Sequence, residues 1–374
     1  MNNKFFKEIH GNFGFGCMRL PMKNGEVDYD EFTKMADKFI ASGFNYFDTA
    51  HGYISGKSEI AIRECVVKRY DRSKFLLTNN LSGSFFKEES DIRPLFMKQL
   101  ESCGVDYFDF YLMHSQDLAD YPKFKRCNAY KVAYELNKEG LIKHFGISFH
   151  DKAEVLEMIL NENPEIEVVQ IQFNYLDYLD PSVESKKVYD VCVKHNLPVI
   201  VREPVKGCSL VKLPDEADMI LRKLNGGSNA SYAIRFASSF DNICMVLSGM
   251  SNMMQMDDNL NTMVNFKKLN NKELEAIDGV CEVFKKLHLV PCTNCKYCIE
   301  ENKCPKNIKI PEVFATLNAN NAFHDWNANY YYEIVTSTPF GKASDCIKCG
   351  KCEAVCPQHL PIRKLLEDAK KIFE

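Results

Sequence analysis

The chain lacks the features that would send it into a membrane, out of the cell or onto nucleic acid. No apolar run approaches the roughly 20 residues of a bilayer-spanning helix. The opening MNNKFFKEIH has no apolar core of a secretion signal, so the expectation is a cytoplasmic protein with reduced thiols. A net charge of −4 offers nothing for a polyanion, so neither a nucleic-acid partner nor an anionic membrane surface is expected. Low-complexity segments and obvious sequence repeats are missing. The G-x-G-x-x-G dinucleotide fingerprint is missing too: Gly14 and Gly16 of GFGCMRLP lack the third glycine.

What is present reads as a large α/β body with an appendage. Over the 374 residues, 45% hydrophobic content is enough for an ordinary globular core. Eight short apolar runs recur at 13–17, 44–48, 75–79, 107–113, 144–148, 168–174, 198–202 and 243–248. Amphipathic stretches such as DEFTKMADKFIASG and KAEVLEMILNENP lie between them, with apolar residues three and four apart. Apolar strands alternating with helices imply parallel strands buried on both faces. Eight such units predict a (β/α)8 TIM barrel over residues 1–287, with a doubly wound open sheet as the alternative. The composition changes after the helix-like KELEAIDGVCEVFKKL, which sets a domain boundary between residues 287 and 288.

The 16 cysteines divide evenly. Cys17, Cys65, Cys103, Cys127, Cys192, Cys208, Cys244 and Cys281 are scattered without metal-like spacing. The rest form two runs: Cys292, Cys295, Cys298 and Cys304 before Pro305, and Cys346, Cys349, Cys352 and Cys356 before Pro357. Two-residue gaps let three sulfurs converge on one small inorganic face, and the proline stops the backbone from continuing as helix. Zinc needs only paired C-x2-C, so a third cysteine in step favours iron–sulfur. The runs resemble those of bacterial ferredoxins, where three thiolates hold one cubane and the fourth serves the other. That implies two 4Fe–4S clusters, one on Cys292, Cys295, Cys298 and Cys356, the other on Cys346, Cys349, Cys352 and Cys304. Residues 305–345 separate the runs by more than a compact small ferredoxin allows. With IPEVFATLNANNAF and PIRKLLEDAKKIFE reading as helices, residues 288–374 are expected to form a small, mainly helical ferredoxin-like domain.

Polar residues at the C-terminal ends of barrel strands are the candidates for chemistry. NYFDTAHGY puts Asp48 at the end of the second strand and Tyr53 just after it; YFDFYLMH puts His114 at the end of the fourth. Singly these read as a helix cap, a surface ring and a satisfied buried imidazole, but together they mark one barrel mouth. From about residue 13 to 259 the chain resembles the aldo-keto reductases, through FDTAHGY with GKSE following, YLMH, VVQIQFNY, EPVKG and SGMSNMMQMDDN. With its cysteine-rich tail it resembles the 4Fe–4S-bearing branch of that family. The resemblance implies a barrel that binds NADPH or NADH and passes hydride to a carbonyl through an Asp, Tyr, Lys, His tetrad. It implies Tyr53 as proton donor, Asp48 as supporting carboxylate and His114 as the residue orienting the carbonyl. It assigns Ser148 and Gln170 to the nicotinamide carboxamide, and Ser248, Gly249, Gln255 and Asn259 to the adenosine end.

The sequence departs from that pattern in several places. No lysine lies between Lys74 and Lys87; the tetrad lysine falls at Asn80, or one residue earlier at Asn79, with Asn80 aligning better through Leu81, Ser82 and Gly83. Losing a cation beside a tyrosine raises the phenol's pKa and weakens it as an acid. Arg202 ends the seventh strand, either outward in a salt bridge or inward, where it would replace the missing charge, anchor an acidic substrate or crowd the nicotinamide. Phe149 stands where many relatives carry asparagine, and SGMSNMMQMDDN holds no cation for a 2′-phosphate, which leans toward NADH.

Two functions follow. The first is an oxidoreductase coupling NAD(P)H in the barrel, ferredoxin-type electrons, or both, to reduction of a small organic carbonyl substrate, with a ferredoxin or another redox protein as partner. Hydride carries two electrons and a cluster one; a flavin, a substrate radical or passage through both clusters would reconcile them, and no flavin motif is evident. The second is a redox-sensing or electron-transfer protein whose barrel is not a competent carbonyl reductase. Residues 114–130 and the segment around Trp326 and residues 330–332 are candidate pocket walls, although the tail aromatics also suit packing of the tail on the barrel.

Overall fold

The eight apolar runs become eight parallel strands closed into a barrel. The structure, a computed structural model, describes residues 3–180, 183–287, 289–300, 304–323 and 328–374. The strands are β1 (Phe13–Gly16), β2 (Tyr46–Asp48), β3 (Leu76–Leu81), β4 (Phe108–Gln116), β5 (Ile142–Phe149), β6 (Val168–Gln172), β7 (Val199–Arg202) and β8 (Ile243–Gly249). Each pairs in parallel with its sequence neighbours, and β1 closes the ring between β8 and β2. The open-sheet alternative is thereby set aside. A minor hairpin, Met22–Lys23 with Glu26–Val27, lies outside the barrel sheet.

Residues two apart on a strand share a face, and this decides what fills the cylinder. Tyr46, Phe110, Leu112, Val168, Ile200, Met245 and Leu247 form one buried cluster inside it. Phe6 and Ile9, from the segment before β1, join that cluster and plug the barrel at the strands' N-terminal ends. The Asn3 amide ties this plug down by donating to the carbonyls of Gly11 at 3.0 Å and Cys244 at 2.6 Å. Beyond the apolar layer, the same inward face carries Asp48, Asn80, His114, Gln170 and Arg202.

Outside the barrel, helix Tyr29–Ala41 shows how the covering layer forms. Its N-cap Asp28 accepts from Glu31 N at 3.0 Å. Phe32, Met35, Ala36 and Phe39 recur on one face and are fully buried. Phe39 meets Phe47 edge-on at 5.2 Å, and Phe32 meets Phe15 at 5.5 Å.

The chain divides into two compact units. One comprises Met1–Asp180, Glu184–Pro204 and Ala233–Lys268; the other comprises Pro181–Val183, Val205–Tyr232 and Leu269–Glu374. The division therefore does not follow the linear order of the chain. The segment after β7 joins the tail, with helix Asp215–Arg222 packing along Asn271–Leu287. In the second unit, Val290, Ile308, Ile310, Val313, Phe314, Leu317, Ile362 and Leu366 surround the buried Cys298 and Cys352. Helices Ile310–Phe323 and Ala328–Val335 occupy most of the long stretch between the cysteine runs. A parallel bridge between Ile308 and Gly341, with Asn307 Nδ2 donating to Pro339 O at 2.9 Å, draws the ends of that insertion together. The runs are thus close in space despite their separation in sequence.

Candidate active site and cysteine clusters

Asp48, the last residue of β2, is buried, and its Oδ2 accepts from Gln170 Nε2 at 3.3 Å. Burial pushes its carboxyl up to about 7, and the Gln170 amide opposes this only in part. Asp48 therefore exchanges its proton near neutrality. The buried Cys17 lies close by; desolvation and then the Asp48 charge raise its thiol well above the ordinary range.

His114 leaves the inward face of β4, with Nδ1 2.6 Å from Ser82 Oγ. Desolvation, then the charge of Arg202, push its imidazole down to about 4, so it is neutral at physiological pH. Arg202 ends β7 opposite Gln172 of β6, and its Nη1 donates to Gln172 Oε1 at 3.2 Å. The arginine thus faces the mouth, the inward of its two expected orientations.

Tyr53 follows β2 in a short 3-10 turn, with its N–H on Ala50 O at 3.0 Å. Ile54, Ser55 and Gly56 all adopt left-handed backbone, with φ of 52°, 55° and 85°. Two non-glycine residues in that region store about 1–3 kcal/mol each, the kind of strain that holds a side chain in one place. The Tyr53 ring sits edge-on to His114, centroids 6.0 Å apart.

The two adjacent asparagines of β3 part company. Asn79 points away from the barrel axis: its Nδ2 donates to the buried Glu59 at 2.9 Å and its Oδ1 accepts from Gln99 at 2.9 Å. Asn80 points inward, is 1% exposed, and donates through Nδ2 to Thr49 O at 2.8 Å. Its Oδ1 has no hydrogen-bond partner among the described residues. Glu59 also accepts from or bonds to His51 Nδ1 at 2.8 Å, so it anchors the loop carrying Tyr53 as well as Asn79.

The expected cofactor contacts occupy the strand ends and helix Met253–Val264 after β8. Ser148, opposite Gln170 in register, has its Oγ 3.1 Å from His150 Nε2. Ser248 Oγ accepts from Asn259 Nδ2 at 2.7 Å. Gln255 closes a cap at helix Met253–Val264, its N–H on Asn252 Oδ1 and its Oε1 accepting from Ser251 N at 2.7 Å. Gly249 pairs with Gly16 in register. The Arg19 side chain lies 3.4 Å from where a Gly249 Cβ would stand, and Arg19 meets Glu203 at 3.5 Å. Arg19, in the turn after β1, thus stands beside Gly249 while paired with Glu203. Phe149 is buried.

Sequence reading gave no site role to Ser82, His150, Gln172 or Arg19. The first three were available from alternation, since each stands two residues beyond an inward polar position. Arg19 carried no such signal. Of the expected pocket walls, Tyr121 and Phe124 are buried, Tyr330 and Tyr331 are exposed, and Tyr332 stacks on Phe373 at 4.7 Å within its own unit. Trp326 lies outside the described residues.

In the second unit the cysteines ring two hollows. One is lined by Cys292, Cys295, Cys298 and Cys356 with Ile310, Phe314 and Gln358. The other is lined by Cys304, Cys346, Cys349 and Cys352 with Ile310, Arg363 and Leu366. Among the described residues no three Cys, His, Asp or Glu side chains close in on a single ion. Thiols standing around a hollow suit a cubane, whose irons are spread, better than one tetrahedral zinc.

No helix among the described residues is long and apolar enough to cross a membrane. Residues 12–282 match the model of the aldo/keto reductase family, and residues 291–360 that of a 4Fe-4S dicluster domain. The NADH-specific methylglyoxal reductase of Escherichia coli is 25% identical over 205 residues, 50% of this chain and 60% of that protein. Human aldo-keto reductase family 1 member C3 is 27% identical over 238 residues, 53% of this chain and 70% of that protein. A holo-form aldo-keto reductase of Bacillus halodurans superposes with a TM-score of 0.62 at 20% identity, covering 75% of this chain and 95% of that one, a likeness of fold. The eight-stranded barrel, its mouth and the match over 271 residues agree: the chain belongs to the aldo/keto reductase family and carries a 4Fe-4S dicluster-type segment at its C-terminal end.

Proposed function

We propose that the protein is a nicotinamide-dependent oxidoreductase acting on a small carbonyl compound, with two 4Fe–4S clusters that exchange electrons with a ferredoxin or similar carrier. The barrel domain is residues 1–287, the iron–sulfur domain residues 288–374, and the setting cytoplasmic. The observation that carries this reading is the meeting of Tyr53, a neutral His114 and the Arg202 guanidinium at one mouth. A bound nicotinamide supplies hydride, and bound clusters supply electrons one at a time.

The residues present fit both groups. Ser148 and Gln170 stand in register at the ends of β5 and β6, which suits the carboxamide of a nicotinamide, and Gly16 with Gly249 leaves side-chain-free backbone at the ends of β1 and β8, which suits the adenosine end. Eight thiols around two hollows suit two cubanes. The Escherichia coli relative is NADH-specific, and an aldo/keto reductase of Klebsiella pneumoniae, 16% identical, is complexed with NADP and acetate.

The chain's own residues then divide the work. Tyr53 and His114 hydrogen-bond the carbonyl oxygen, and Tyr53 gives its proton to the oxygen as hydride reaches the carbon, yielding the alcohol. Arg202 supplies the positive charge that Asn80 does not. Asp48, poised near neutrality, buffers the phenol's proton.

Asn80 also favours a second reading, a redox-sensing or electron-transfer protein without carbonyl reductase competence. The two part on one experiment. Anaerobically purified protein is mixed with NADH or NADPH, then with a panel of small aldehydes and ketones. Carbonyl-dependent oxidation of the nucleotide, or bleaching of the visible iron–sulfur absorption by nucleotide alone, is the expected result. Tight nucleotide binding with neither signal would overturn the proposal in favour of the second reading.

A further inference from the structure

Lys206 is an unusual lysine: it is 2% exposed. It opens a segment of three consecutive residues in left-handed backbone, Lys206, Gly207 and Cys208, with φ of 47°, 58° and 78°. The segment is pressed against the loop that carries Cys292 and Cys295. A Cβ on Gly207 would stand 2.3 Å from Thr293 O and 2.6 Å from Thr293 Cα, so no larger residue fits. Lys206 Nζ donates to Gln358 Oε1 at 3.5 Å, the outer limit of a hydrogen bond. Gln358 is also 2% exposed, and it lines the hollow ringed by Cys292, Cys295, Cys298 and Cys356.

An ammonium can only donate, so it fixes the Gln358 amide with oxygen toward the lysine and NH2 turned the other way. Gln358 lines a hollow whose occupant, by the reading above, carries sulfur acceptors, so the orientation of its amide bears on that occupant. Charge near a cluster and hydrogen bonds to its sulfurs are the levers that set its potential. A one-electron reduction adds negative charge, which a buried ammonium favours at low effective dielectric. Among the described residues no buried cation lines the second hollow, where Lys306, Lys351 and Arg363 are all exposed.

We infer that Lys206, acting through Gln358, is a positioning residue that raises the reduction potential of the cluster on Cys292, Cys295, Cys298 and Cys356 and leaves the other unchanged. This rests on the two-cluster reading proposed above. Lys206 follows the end of β7 by four residues, so the same stretch of chain that carries Arg202 would set the redox balance of one cluster.

The test is an EPR-monitored potential titration of anaerobic holoprotein bearing Lys206→Met, Lys206→Arg or Gln358→Leu, each with its iron and sulfide counted. Lys206→Met is expected to lower one of the two one-electron waves by about tenfold in equilibrium constant, about 59 mV, with the other unmoved. Gln358→Leu should move the same wave in the same direction, and Lys206→Arg should leave it close to wild type. Should Lys206→Met fail to load iron, Gln358→Leu alone decides the matter. Waves that stay put in loaded variants, or that both move together, overturn the inference. Wild-type protein with too little iron for two clusters overturns the underlying reading instead.

Discussion

At the scale of single residues the barrel mouth turns on where positive charge stands. Asn80 occupies the inward position of β3 and brings none, whereas Arg202 reaches the mouth from β7. Replacing Asn80 with lysine sets a cation beside Asp48 and Tyr53, which favours their ionised forms. Asn80→Lys is expected to raise carbonyl reductase activity by about a hundredfold, the low end of what a competent general acid contributes. Steady-state rates on an aldehyde panel check this, and unchanged rates would show that the missing lysine is not what limits the enzyme. Asp48 gives a separate prediction in stability. Its folded pKa of about 7 lies above the unfolded value, so the folded form binds the extra proton. Its contribution is fully present below about pH 4 and lost as pH rises through about 7. Asp48→Asn should therefore raise Tm at about pH 8, where wild type buries a carboxylate, and change it little at about pH 4. A larger gain on the acid side contradicts this. Much of the site could be read in the sequence, because a polar residue ending an apolar strand has few places to point. Ser82, His150 and Gln172 needed only the two-residue period carried one step further. Arg19 could not be read, since its approach to Gly249 comes from barrel closure between β1 and β8.

At the scale of elements, all eight barrel strands follow runs visible in the sequence, because parallel strands covered on both faces must be apolar throughout. The hidden elements are those whose apolar residues are few. The N-terminal plug is one: Phe6 and Ile9 are two residues in a polar stretch, yet they close the cylinder. The bridge at Ile308 and Gly341 is another, since a single backbone pairing leaves no periodicity to detect. The plug has its own pH dependence. His144 of β5 bonds Glu167 Oε2 at 2.9 Å and Glu8 Oε1 at 2.5 Å. Desolvation alone would lower the imidazole's pKa, but the two glutamates outweigh it and raise it. A raised folded pKa means stability that is present below the unfolded value of about 6.5 and is lost as pH climbs through the folded one. The plug should therefore loosen in mild alkali, with amides of residues 5–10 exchanging faster at about pH 9 than the intrinsic rate change explains. Glu8→Gln should show the faster exchange already at about pH 6. A plug whose protection is the same in both proteins at both pH values would mean that Phe6 and Ile9 alone hold it.

At the scale of the whole molecule, the two compact units differ in what holds them. The barrel unit buries interlocking aromatics such as Phe13, Phe15, Phe39 and Phe47, each at 0% exposure, and needs no cofactor to fill its core. The second unit's core includes the buried Cys298 and Cys352 among its apolar residues, with the other cluster cysteines around two hollows. Metal binding there is also folding free energy, since the ligand set does not exist in the unfolded chain. The segment 205–232 is committed to the same unit through Gly207 against Thr293 and Asp215–Arg222 along Asn271–Leu287. Stripping iron with a chelator under reducing conditions should therefore remove amide protection from residues 289–374 and weaken it across 205–232. Strands β1 to β6 should stay protected, because their contacts are made within the barrel. Hydrogen exchange read by mass spectrometry on loaded and stripped protein distinguishes the outcomes. Protection retained throughout 289–374 after iron loss would mean that Ile310, Phe314, Leu317 and Leu366 suffice as a core, and that the clusters are passengers in a fold that stands without them.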